Sequence, residues 1–166
     1  MPASNARLGH GIAPLVEFLR AGARVGLGSD SVASNDRMDL LEEARLASHL
    51  QRARTGASDA VNARAAFRLA TLGGAEALHL DAECGSLEMG KQADFAVFEV
   101  PESGAPLVDP YVALVFGPRP RTRRVIVAGV ERARDGVVSG FDSAIPSRVR
   151  AAAERLAKWR AAPHGG

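Results

Sequence analysis

The chain has 166 residues, 46% hydrophobic, 24% charged and 5% aromatic. That length suits one ordinary domain or parts of two small ones, and the composition excludes a disordered, collagen-like or disulfide-stapled chain. Lys plus Arg is 21 and Asp plus Glu is 19, a net charge of +2; so weak a field, with so few aromatics, argues against a nucleic-acid-binding surface. No apolar run approaches the roughly 20 residues needed to cross a bilayer. Residues 1–5 carry no charged segment leading into an apolar one, so no secretory signal is expected. Cys84 is the single cysteine and has no internal partner, which fits a reducing, cytoplasmic compartment.

Along the chain, the first periodic segment is 11–22. Ile12, Leu15, Val16 and Leu19 recur at helical spacing, and Gly22 suits the helix end. Residues 23–28, Ala-Arg-Val-Gly-Leu-Gly, predict a short strand ending at Ser29-Asp30-Ser31. A polar loop follows. A second helix is predicted over 37–54, with Asn35 or Asp36 as N-cap and an inner stripe of Leu40, Leu41, Ala44, Ala47 and Leu50. Ser58 or Asp59 caps a third helix to about residue 72, broken by Gly73-Gly74, with a further turn or two over 75–80.

Beyond residue 80 glycine and proline recur, at Gly85, Gly90, Gly104, Gly117, Gly129, Gly136 and Gly140 among others. Strands are predicted over 95–100, 112–116, 125–127 and 137–138. Asp135-Gly136 reads as a hairpin turn between 131–134 and 137–138. Residues 146–162 predict an amphipathic helix with Ile145, Val149, Leu156 and Trp159 on one face and Pro146 in its first turn. One strand in the front half cannot make a sheet by itself, so that half reads as an incomplete unit.

The sharpest local feature is Gly26-Leu27-Gly28-Ser29-Asp30-Ser31. It places an acid at the carboxyl end of a glycine-rich strand, the edge where parallel α/β folds carry their sites. Asp30 there can ligate a metal and move protons; equally, it can cap the following turn with its own backbone. His10, His49, His79 and His164 show no metal-ligand spacing, and each reads as a surface or packing histidine. Glu42 and Glu43 point about 100° apart on a helix and read as a solvated face. Arg119, Arg121, Arg123 and Arg124 form the one basic cluster, without interleaved aromatics, so no nucleic-acid partner is expected.

The chain resembles the amidohydrolase superfamily, in its branch of chlorohydrolases and aromatic-ring deaminases. The matching pieces lie in order. They are Pro2 to Leu8, Gly11-Ile12-Ala13-Pro14, and Gly28-Ser29-Asp30-Ser31-Val32-Ala33-Ser34-Asn35. Next come Leu40-Leu41-Glu42-Glu43-Ala44-Arg45, Ala70 to Ala75, and Gly85 to Phe95. The resemblance implies a (β/α)8 (TIM) barrel with a small β-sandwich. It implies a zinc or iron ion at the barrel's carboxyl end, held by histidines and by an eighth-strand Asp that Asp30 matches. By the same resemblance Asp30 is metal ligand and proton shuttle, and Asn5, Ser31, Ser34 and Asn35 face the substrate. For Ser31, Ser34 and Asn35 ordinary turn chemistry is an equal reading, and for Asn5 a helix-entry role.

The expected fold class is therefore α/β plus β. Residues 1–80 would be the last helices and eighth strand of a barrel, 81–143 part of a β-sandwich, and 144–166 a C-terminal helix and tail. The chain has no His-x-His motif, and a barrel of this kind needs about 250 residues. The expectation is a fragment of a metal-dependent hydrolytic deaminase of ring substrates. Alone, it would retain no metal, be inactive, and associate with itself or with a missing N-terminal segment. No membrane partner is expected. The alternative is a degenerate or split-gene product serving as a non-enzymatic assembly domain.

Overall fold

The structure is a computed structural model describing residues 1–100 and 109–162; Gly104 and His164 lie outside them. Six helices come first: α1 (Pro2–Leu8), α2 (Leu15–Arg20), α3 (Val32–Asn35), α4 (Leu40–Thr55), α5 (Ala63–Leu69) and α6 (Leu72–Ala77). They are followed by β1 (Phe95–Glu99), α7 (Pro110–Val115), β2 (Arg121–Val127), β3 (Val130–Arg134), β4 (Val137–Val138) and α8 (Ile145–Ala161). No helix among the described residues is long and apolar enough to cross a membrane.

The helical core is built around α4. Asp39 caps it, its carboxylate accepting from Leu41 N at 3.1 Å and Glu42 N at 3.2 Å, and Gly56 ends it at φ 72°. The cap is thus Asp39 and not Asn35 or Asp36, because Asp36 at φ 60° already closes α3. The buried face of α4 also differs from the expected stripe. It is Glu43, Ala44, Ala47, Ser48 and Gln51, while Leu40 is exposed. The three polar members are buried because each is paired. Ser48 donates to Val61 O at 2.5 Å, Gln51 donates to Ala13 O at 2.8 Å, and Glu43 accepts two hydrogen bonds.

Against this face lie Leu15 and Val16 of α2, Val61, Ala63, Ala66 and Leu69 at and within α5, and Val115 of α7. Alanine at so many contact positions lets the helices approach closely. Residues 112–116, expected as a strand, lie largely in helix α7. Asp109 accepts from Tyr111 N at 2.8 Å and Pro110 stands in the first turn, so local capping chemistry overrides the apolar run. Arg45 fastens the far end of α7, donating to Val115 O at 2.9 Å and Gly117 O at 2.5 Å. The third helix begins later than expected, at Ala63 behind Asn62, whose side chain accepts from Ala65 N at 2.9 Å.

Residues 23–28 form no strand: nothing among the described residues pairs with them as a ladder. Leu27 N–H instead donates to Leu69 O at the end of α5, at 3.0 Å. Gly73 and Gly74 lie inside α6 instead of breaking a helix, and their role is close approach. A Cβ on Gly26 would stand 2.6 Å from Gly74 Cα, and one on Gly73 would stand 2.8 Å from Val25 O.

The four strands form one antiparallel sheet in the order β1-β2-β3-β4. Phe95 faces Ile126 and Val125 faces Ala133, with irregularities after Val97 and Val125. The Asp135-Gly136 hairpin forms as expected, with both residues at positive φ (49° and 85°), the requirement of a type I′ turn. Ala128-Gly129 makes a second turn of the same kind, at 49° and 76°. The described residues contain this one sheet, and no residue of β1 to β4 is fully buried. Helix α8 forms where the periodicity places it, and none of its residues is buried.

Candidate functional site

Asp30 stands at the end of the glycine-rich segment 23–28, which is held against α5 and α6 by Leu27 and Gly26. It has φ 61°, a left-handed conformation that Asp tolerates better than most residues, and its side chain is exposed. One oxygen, Oδ1, accepts from Ser31 N at 2.8 Å. That backbone N–H, then the Ser4 hydroxyl, and more weakly the N-terminal charge and Ser34, hold the carboxyl below its ordinary value. Asp30 is therefore ionised at neutral pH and able to accept a proton or a cation.

Three of the other expected residues share this turn. Ser31 caps α3, its Oγ accepting from Ser34 N at 3.3 Å and lying 3.1 Å from Ser34 Oγ. Asn35 ends α3 and points back, its Nδ2 donating to Ser29 O at 2.9 Å and to Glu43 Oε1 at 2.6 Å. Both amide hydrogens are thereby used, which leaves only its carbonyl to meet a ligand. Asn5 lies apart, on α1, where it lines a groove of about 110 Å³ together with Met1, Ile12, Val25 and Leu27.

Glu43 was not foreseen as part of this site. It is 1% exposed, and its second oxygen accepts from Ala3 N at 3.0 Å. Ser4, next to it on α1, is equally buried. Adjacency to Glu42 hid Glu43: a paired acidic dipeptide reads as surface, and only the tertiary position of α4 shows which carboxylate turns inward. Arg7 adds an ion pair to Asp36, so α1, α3 and α4 meet around the Asp30 turn.

These residues do not form a metal site by themselves. A zinc site needs three or four protein ligands, and no group of three His, Cys, Asp or Glu side chains converges among the described residues. His79 is engaged with Arg24, Nδ1 to Nη1 at 2.9 Å. His49 packs its ring 5.5 Å from that of Phe116. Cys84 is a free, half-buried thiol.

Residues 1–132 match the model of the amidohydrolase family. The chain is 45% identical over 159 residues to the 8-oxoguanine deaminase of Pseudomonas aeruginosa, covering 93% of this chain and 34% of that protein. It superposes on an adenosine deaminase from Xanthomonas campestris with bound zinc at a TM-score of 0.88 and 31% identity, covering 95% of this chain and 36% of the other. The zinc-complexed atrazine chlorohydrolase TrzN from Arthrobacter aurescens gives 0.76 and 31%, over 93% and 34%. The chain thus spans about a third of the length of these proteins. With four-fifths of its residues inside the family match, the chain belongs to the amidohydrolase family.

Proposed function

We propose that this chain is the Asp30-bearing part of a metal-dependent hydrolytic deaminase acting on a nitrogen-rich ring. The carrying observation is the Asp30 carboxylate. It sits at the end of a glycine-rich segment, is held below its ordinary value first by Ser31 N–H and has one oxygen uncommitted to the backbone. The similar proteins act, by their names, on 8-oxoguanine, adenosine and atrazine, which supports a small heteroaromatic substrate.

In this reading Asp30 accepts a proton from water as the oxygen adds to the ring carbon bearing the amino group. It then returns that proton to the departing nitrogen, which leaves as ammonia while the ring keeps the oxygen. Ser31 and Ser34 offer hydroxyls, and Asn35 its side-chain carbonyl, to the ring's polar edge, while Asn5, apart on α1, lines the substrate's approach. A zinc or iron ion would activate that water when bound, with its other ligands supplied from outside the described residues. The assignment of 1–80 to a barrel's end, of 81–143 to a β-sandwich and of 144–166 to a terminal helix belongs to the same proposal, as does a cytoplasmic setting. Alone, the chain would not turn over.

The test is a chimera in which this chain replaces the matching third of the Pseudomonas aeruginosa 8-oxoguanine deaminase, assayed for ammonia release. Asp30→Asn is expected to lower kcat by roughly 10²- to 10⁴-fold without unfolding the chimera. Unchanged turnover in that variant would remove Asp30 from the mechanism. The second reading, a non-enzymatic assembly domain, is favoured by the exposed side chains of Leu87, Met89 and Val137. It predicts a folded chimera with no activity even with Asp30 intact.

A further inference from the structure

We infer that Glu43 is a positioning residue for Asp30, its buried carboxylate holding the Asp30 turn through Asn35 and helix α1 through Ala3. The role rests on the reading of Asp30 as the proton-handling group. Glu43 is 1% exposed, and a buried carboxylate is costly to keep unless its oxygens are satisfied. Here each oxygen accepts one strong donor: Oε1 takes Asn35 Nδ2 at 2.6 Å and Oε2 takes Ala3 N at 3.0 Å. Asn35 spends its other amide hydrogen on Ser29 O, at 2.9 Å. Ser29 is the residue before Asp30, so a continuous chain of hydrogen bonds runs from the rigid sixteen-residue α4 to the peptide that carries Asp30.

That restraint has something to hold. Asp30 is at φ 61° and Asp36 at φ 60°, so the seven-residue turn between them starts and ends in a conformation that costs free energy unless its surroundings enforce it. The Glu43–Asn35–Ser29 relay ties the end of this turn back to the residue before its start. Through Ala3, the same carboxylate sets α1, which carries the Ser4 hydroxyl that supports Asp30. One side chain thereby fixes both neighbours of the reactive carboxylate without touching it.

The chemistry demands a carboxylate here. Both contacts of residue 43 are with donors, and Gln has one acceptor oxygen where Glu has two. Glu43→Gln must therefore lose either Asn35 or Ala3, although its size and shape are unchanged.

The test is ¹⁵N relaxation of the full 166-residue chain, as wild type, Glu43→Gln and Asn35→Ala. In the wild type, residues 29–36 are expected to be as ordered as α5, with order parameters near 0.85. In both variants they are expected to fall below about 0.6, while residues 63–69 of α5 stay unchanged. If Glu43→Gln does not fold, Asn35→Ala carries the test, because it breaks the relay and leaves the bond from Ala3 in place. Unaltered order at 29–36 in a folded variant, or a loss spread evenly through α4 and α5, would overturn the inference. Failure of the catalytic reading is distinguishable. There Asp30→Asn leaves turnover of the chimera unchanged, whereas the turn still loosens in Glu43→Gln.

Discussion

Asp30, exposed, and Glu131, half-buried, are both carboxylates held below their ordinary values by donors, and they differ in what the donors are. Asp30 is supported first by a backbone N–H and serine hydroxyls. Glu131 is supported by Arg134 at 2.7 Å and Arg124 at 2.6 Å, which hold it below the usual carboxylate value. For Glu131 the sign is fixed. A folded-state value lower than the unfolded one means stabilisation that is present above the ordinary carboxylate range, about pH 4.3. It is lost as the pH falls through the lowered value. Urea unfolding of wild type and Glu131→Gln as a function of pH is expected to separate fully above the ordinary carboxylate range and to converge only below the lowered value. Parallel curves throughout would show that the two arginines add nothing. Gly26 marks another residue-scale constraint. Gly26→Ala places a methyl 2.6 Å from Gly74 Cα, and is expected to cost about 1–3 kcal/mol in urea unfolding; a neutral effect would mean that α6 moves freely away.

At the scale of elements, what could be read from the sequence follows the range of the forces involved. The Asp135-Gly136 hairpin, β1 and α8 were legible because turn chemistry and periodicity are local. Helix α7 was not, although Asp109 and Pro110 announce it, because Val112 to Phe116 has the apolar run of a strand. Residues 23–28 carry a strand's pattern, and only pairing can make them one. Among the described residues they have no ladder, so Leu27 turns to the α5 carbonyl instead. The site divides in the same way. Asp30, Ser31, Ser34 and Asn35 are neighbours in sequence and lie on one turn. Glu43 was missed because its inward turn depends on α1 arriving from 40 residues away.

The whole molecule keeps much apolar surface in water. Ile12, Phe18, Leu87, Met89, Val149 and Leu156 are all exposed, and α8 extends for 17 residues with none buried. Isolated monomers seldom leave so much uncovered. Sedimentation velocity over a concentration series is expected to show mass rising with concentration; a single monomeric species throughout would contradict this. On superposition, 95% of this chain matches 36% of the zinc-bound adenosine deaminase. The most direct measurement is zinc content, taken on the chain alone, on the 8-oxoguanine deaminase chimera, and on the chimera carrying Asp30→Ala. The account expects far less than one equivalent in the chain alone, close to one in the chimera, and clearly weakened retention in the variant. Stoichiometric zinc in the chain alone, or retention in the chimera indifferent to Asp30, would contradict it.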